Sequence, residues 1–170
     1  DESFLVGSFQ RDTEGHDLIS PKLSKGPDKF LEIVSDLKKT KKNLEVVLTG
    51  KRRNYLIKKF DENFIKYRYF EMVDYKSLNE LYNILNLYIV SSRIEGGPRS
   101  IFECAQTETP IISTDVGFAS KILSKESIYN FENYSDAKPD TAFAKKKVSN
   151  YLIPKGFEYY LKMFDEVYES

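Results

Sequence analysis

The sequence predicts an α/β fold, a doubly wound parallel sheet of about six strands with helices on both faces. Three observations lead there. Apolar runs of strand length alternate with segments whose apolar residues recur at helical spacing. The runs at 44–48 and 87–90 are short enough for buried strands and are bounded by turn residues. From Leu87 to Gly117 the chain reads strand, turn, helix, strand, and two strands joined by a helical crossover lie parallel.

Residues 4–9 (FLVGSF) read as the first strand. The exit from Gln10 to Pro27 is long for a strand-to-helix loop, and loops of that length are functional or disordered. His16 is the single histidine and reads as a solvated loop residue, because no second base or metal ligand stands beside it. A helix starts at Pro27-Asp28, carries Phe30, Leu31, Val34 and Leu37 on one stripe, and closes on Lys38 and Lys39. The second strand, 44–48, ends at Thr49-Gly50. Lys51, Arg52 and Arg53 are then expected to open a helix through Phe60 as a solvated face, although cations at a helix start oppose its dipole. A third strand is expected over 65–70, followed by a helix whose stripe of Leu78, Leu81, Tyr82 and Leu85 is core packing.

The strand at 87–90 follows, then the turn Glu95-Gly96-Gly97-Pro98, a helix over 98–107 and a strand over 110–113. Beyond Gly117 the pattern predicts a short helix at 118–123, an edge strand at 127–131 and a polar turn region at 133–139. Two last helices, about 141–152 and 155–168, are split by Pro154. The last carries Phe157, Tyr160, Leu161, Phe164 and Tyr168 on one stripe, which requires cover.

Composition bounds the function. A chain of 170 residues is the size of one domain. Its 26 basic residues balance 26 acidic ones, without the basic excess of a nucleic-acid binder. One cysteine excludes an internal disulfide and suits a reducing compartment. No apolar run has the length of a membrane span and no signal peptide is visible, so a soluble, cytoplasmic protein is expected. With 12 Phe, 12 Tyr and no Trp, those two residue types must supply the aromatic packing. Only Asp1-Glu2-Ser3 precedes the first apolar run, as at a domain boundary.

The turn at 95–98 falls at the carboxyl end of a strand, where open parallel sheets bind ligands. Gly96 and Gly97 permit close backbone approach, and a helix start with free N–H groups attracts an anion such as phosphate. Glu103 lies about one and a half turns into that helix, with Arg99 and Ser100 one turn behind on the same face. Helical side chains lean toward the N-terminus, so its carboxylate reaches over the loop, where it can accept hydrogen bonds from ribose hydroxyls.

These residues resemble the retaining, group 1 glycosyltransferases of the GT-B architecture. The family signature S-x-x-E-G-x-P-x-x-x-x-E-A, with a following P-I-I-x-T-D-x-G strand, is met by Ser92, Glu95, Gly96, Pro98, Glu103, Ala105, Pro110, Ile111, Ile112, Thr114, Asp115 and Gly117. Two departures stand out: Cys104 separates Glu103 from Ala105, and Gly97-Pro98-Arg99 replaces a more aromatic and apolar segment. The resemblance implies a single Rossmann-like donor-binding domain over 1–170, the C-terminal half of a two-domain enzyme whose N-terminal acceptor domain is absent. It implies catalytic roles for Glu95, which orients the sugar ring, and for Lys25 and Arg11, which face the donor diphosphate with the Gly97 to Ser100 amides. Glu103 would hold the ribose, Gly50 would lie near the nucleotide, and Glu71-Met72-Val73 would touch the base through backbone. Donor binding is thus assigned to Gly50, Met72, Gly96, Gly97, Pro98, Arg99, Ser100 and Glu103.

No metal and no cofactor belong to this design. The donor is a nucleotide diphosphate sugar, the acceptor a glycan or lipid-linked sugar, and the setting polysaccharide assembly in the cytoplasm or at the inner membrane face. Two other classes fit parts of the pattern: a non-catalytic nucleotide-binding module and a nucleotide-sugar epimerase.

Overall fold

The computed structural model describes residues 3–15 and 17–169, and its frame is six strands: β1 (Phe4–Ser8), β2 (Leu44–Thr49), β3 (Tyr67–Phe70), β4 (Leu87–Val90), β5 (Ile111–Thr114) and β6 (Ile128–Tyr129). All neighbouring pairs are parallel, in the order β3-β2-β1-β4-β5-β6. The chain grows one way from β1 through β2 to β3, then returns to the other side of β1 with β4. That reversal opens a crevice beyond the carboxyl ends of β1 and β4. His16 and the opening Asp1-Glu2 lie outside the described residues.

Alternation along each strand divides the core into two layers. Val6, Val46, Leu48, Leu87 and Ile89 pack with Phe30, Val34, Leu56 and Phe60 from α1 (Pro27–Thr40) and α2 (Asn54–Glu62). Val47, Tyr88 and Val90 face the other layer, built from α3 (Tyr75–Ile84), α4 (Arg99–Thr107), α5 (Ala119–Ile122) and α6 (Thr141–Val148). The stripe of Leu78, Leu81, Tyr82 and Leu85 belongs to this second layer as expected, with Leu85 as the residue that ends α3. Among the described residues no helix is long and apolar enough to cross a membrane.

Several expectations need correction. Within the long exit from β1, an isolated antiparallel bridge between Thr13 and Pro21 closes a strap. The helix after β2 starts at Asn54, because Arg52 takes a left-handed conformation (φ 63°) that breaks the backbone before it. Arg53 is not on a solvated face: its side chain is 0% exposed. The third strand begins at Tyr67, since the Ile65 N–H donates back to the Phe60 carbonyl at the end of α2. The penultimate helix ends as α-helix at Val148 and continues as a 3-10 turn, Ser149–Tyr151. The final helix, α7 (Glu158–Glu169), follows a 3-10 turn (Lys155–Phe157), and Phe157 of the turn with Tyr160, Leu161, Phe164 and Tyr168 of the helix are between 51% and 93% exposed, so among the described residues their stripe is uncovered.

Candidate functional site

A cleft of about 460 Å³ occupies the crevice. Phe9 and Gln10 enter it from the end of β1, Thr49 and Gly50 from β2, and Met72 and Val73 from β3. Glu95, Gly97 and Pro98 come from the loop after β4, and Arg99, Ser100 and Glu103 from α4. The topology thus gathers residues more than ninety positions apart at one sheet end.

The loop after β4 is tied to the start of α1. Gly26 has φ 62°, and a Cβ there would lie 1.8 Å from the Ser91 carbonyl oxygen, so only glycine lets the two segments meet. Ser91 Oγ donates to the Gly26 carbonyl at 2.9 Å, while the Arg93 N–H donates to the Ser24 carbonyl at 2.8 Å. Arg93 also grips Asp28 with two hydrogen bonds of 2.8 and 2.6 Å, and these hold the Asp28 carboxyl below its usual range. The seam brings Lys25, in the 3-10 turn Leu23–Lys25, against Glu95 in a half-buried ion pair. Ser92 Oγ donates to the other Glu95 oxygen at 2.9 Å. Gln10 Nε2 donates to the Lys25 carbonyl at 3.1 Å, and Thr114 Oγ1 to the Ser92 carbonyl at 2.6 Å.

Helix α4 starts at the cleft. Pro98, its N-cap, supplies no side-chain hydrogen bond, and its first turn carries no acid. A helix start leaves its first N–H groups without intrahelical partners, so this one presents donors and positive potential to the cleft. Gly97 lies under the Phe118 ring, which a Cβ would meet at 3.4 Å. Gly96 does not line the cleft but packs behind it, its carbonyl oxygen 2.6 Å from where a Cβ on Gly117 would stand. Glu103 reaches the cleft from the second turn, with Oε2 accepting from the Tyr82 hydroxyl at 2.7 Å. The next residue, Cys104, points into the core, and burial pushes its thiol well above the usual range.

The remaining candidates are placed as follows. Gly50 lines the cleft at φ 90° with open space around it, so its backbone conformation rather than crowding calls for glycine. Met72 stands exposed on the wall. Arg11 is exposed on the strap and is not among the residues that line the cleft, so the structure does not bring it to the other candidates. Its neighbour Asp12 turns inward instead, with Oδ2 3.2 Å from Arg53 Nε and Oδ1 accepting from the Tyr55 N–H at 3.1 Å.

Sequence reasoning missed Asp12, Arg53, Asp28 and Arg93 as the fasteners of these loops, and Tyr82 as a partner of Glu103. Nothing in local spacing marks pairs 41 or 65 positions apart. The cations ahead of α2, unfavourable at a helix start, were the one available hint.

Comparison with known proteins adds the following. The family described as "Glycosyl transferases group 1" matches residues 20–166. No curated protein matches this chain. Among solved structures, a glycosyltransferase from Rickettsia africae superposes with a TM-score of 0.75 at 18% identity, covering 100% of this chain and 49% of that one. The pneumococcal O-GlcNAc transferase GtfA, solved with UDP and GlcNAc, gives 0.69 at 16% identity, covering 98% of this chain and 36% of that one. A mutant of S. aureus TarM, in a complex that includes UDP, gives 0.67 at 14% identity, covering 99% and 36%. These likenesses concern the fold, and the chain spans between about a third and a half of the length of these three neighbours.

Proposed function

The chain belongs to the group 1 glycosyltransferases, and from that premise we propose that it is the donor-binding half of a retaining enzyme. That enzyme takes a sugar from a nucleoside diphosphate and passes it to a glycan or lipid-linked acceptor. The observation that carries the reading is the cleft lined by an uncapped helix start, Glu95 and Glu103, with Lys25 outside that lining but paired to Glu95. Polysaccharide assembly, at the cytoplasmic face of a membrane, is the setting proposed with it.

The chemistry follows from these groups. Glycosyl transfer passes through an oxocarbenium-like state while negative charge builds on the leaving diphosphate. The first-turn amides of α4 are fixed before the reaction and need no reorganisation to stabilise that charge. An ammonium has three donors, so Lys25 can keep Glu95 and still offer hydrogen bonds to phosphate oxygens. Glu95, oriented by Lys25 and Ser92, is then placed to accept from hydroxyls of the sugar ring. Glu103 is set farther along the helix, on the nucleoside side, to accept from the ribose. Two of the superposed structures were solved with UDP, which supports a nucleotide as ligand, and the base itself is left to experiment.

The test is calorimetry of the chain with UDP, GDP and ADP and with their nucleosides. Wild type should prefer a diphosphate over its nucleoside by about tenfold to a hundredfold, the range for charge-assisted hydrogen bonds. Lys25→Ala should remove much of that preference. Equal binding of nucleoside and diphosphate by the wild type would overturn the reading.

A further inference from the structure

We infer that Tyr82 is a positioning residue for nucleotide binding: its hydroxyl fixes the Glu103 carboxylate so that one oxygen is held and the other is presented to the ribose diol. This rests on the donor-cleft reading above and extends it to a residue that its sequence position marks only as core.

Tyr82 is itself immobilised. It is 3% exposed, its ring packs on Phe9 at 4.9 Å and Tyr88 at 5.6 Å between centroids, and its carbonyl accepts from Thr109 Oγ1 at 2.9 Å. Tyr88 is anchored in turn, its hydroxyl accepting from the Phe9 N–H at 2.9 Å. The Tyr82 hydroxyl is the polar end of this aromatic floor, and it meets Glu103 Oε2 at 2.7 Å. Glu103 is a long, half-buried side chain that lines the cleft and has rotamer freedom to lose. The consequence of the bond therefore falls on Glu103: a rigid donor selects one orientation of a mobile acceptor. Burial also drives the Tyr82 hydroxyl far above its usual range, helped by Tyr88, Cys104 and Glu103, so it stays a neutral donor.

A carboxylate has about four lone-pair sites, and Tyr82 takes one. The oxygen left free has room for two ribose hydroxyls, and a ligand lacking one of them leaves a pre-oriented acceptor unpaired. Such a site rejects deoxyribose more strongly than a freely rotating glutamate does.

The experiment uses the full chain and measures binding of UDP, GDP and ADP, their 2′-deoxy counterparts and the matching monophosphates. Wild type should prefer ribose over 2′-deoxyribose by about tenfold or more, as for a hydrogen bond to a charged group. Tyr82→Phe should reduce that preference to about threefold or less while leaving the diphosphate-to-monophosphate ratio unchanged, because preorganisation is lost only at Glu103. A merely structural tyrosine would weaken all ligands alike. Glu103→Asp provides a second arm at a half-buried position: it keeps the charge but falls short of Tyr82, and it too should lose ribose preference. An unchanged ribose preference in either variant overturns the inference alone. A wild type with diphosphate preference but no ribose preference removes Glu103 from the ribose. A wild type without diphosphate preference overturns the donor-cleft reading, and the inference with it.

Discussion

Arg53 and Asp12 are both inside the protein, with side chains 0% and 2% exposed, and they hold each other across 41 positions of sequence. Arg53 Nη2 also donates to Ser8 Oγ at 3.2 Å, at the end of β1. The pairing is imperfect: Nε, Nη1 and Oδ2 are buried without a well-aligned hydrogen bond. Burial accordingly pushes the Asp12 carboxyl up to about 6, against the pull of Arg53 and of the Tyr55 and Leu56 amides. Asp12 in the folded protein thus keeps a proton at pH values where the unfolded chain, with its ordinary 3.8, has released it. This group's contribution to stability is present below about pH 4 and is lost as pH rises through about 6. Asp12→Asn keeps an acceptor for Tyr55 and cannot ionise, so urea midpoints of wild type minus variant should fall across that window. A difference flat in pH would remove the titration from Asp12. Asp12→Ala, which leaves Arg53 with no partner charge, should lose roughly 3–5 kcal/mol at neutral pH.

At the scale of the element, α4 combines two properties that one substitution can set against each other. Its first turn has no acid and its N-cap no side-chain bond, so the helix is less stable than its sequence allows. An open start is also what an anionic ligand needs. Arg99→Glu places a carboxylate in that turn, at an exposed position on the cleft. Stability should stay the same or rise by up to about 1 kcal/mol in thermal unfolding. Diphosphate affinity should fall tenfold or more at low salt, and the gap to wild type should narrow as salt screens the new charge. Undiminished affinity in Arg99→Glu would place the diphosphate away from this helix. The same electrostatics explains α2, whose basic start is relieved from outside by the Asp12 carboxylate, which accepts from its Tyr55 amide.

For the whole molecule, the relevant fact is that this sheet is one part of the chains it superposes on. On the proposed reading, a cleft built by a single sheet end would hold a donor on one side only. Catalysis by orientation requires both reactants within near-attack distance and bulk water kept from the sugar carbon. The 170-residue chain alone should therefore bind donor and transfer nothing, and adding an N-terminal acceptor domain should bring turnover. Radiolabelled donor with cell-extract acceptors measures this, and equal transfer by the short and the extended chain would show the site to be complete without a second domain.

How much was legible in the sequence differs from one feature to the next for a physical reason. Strands and helices were readable where periodicity is local: the strand at 87–90 lies as expected, and the helix expected from Pro98 starts one residue later. That Glu103 leans toward the start of its helix follows from helix geometry, and the structure puts it on the cleft. Tertiary structure alone decided the rest. Arg11 and Asp12 are adjacent in sequence, yet one faces solvent and the other an interior arginine. Tyr82 belongs to a core stripe in the sequence, and in the fold its hydroxyl also donates to Glu103. The Asp12 and Tyr82 outcomes depend on partners 41 and 21 positions away, and sheet order, not local pattern, sets which distant groups meet.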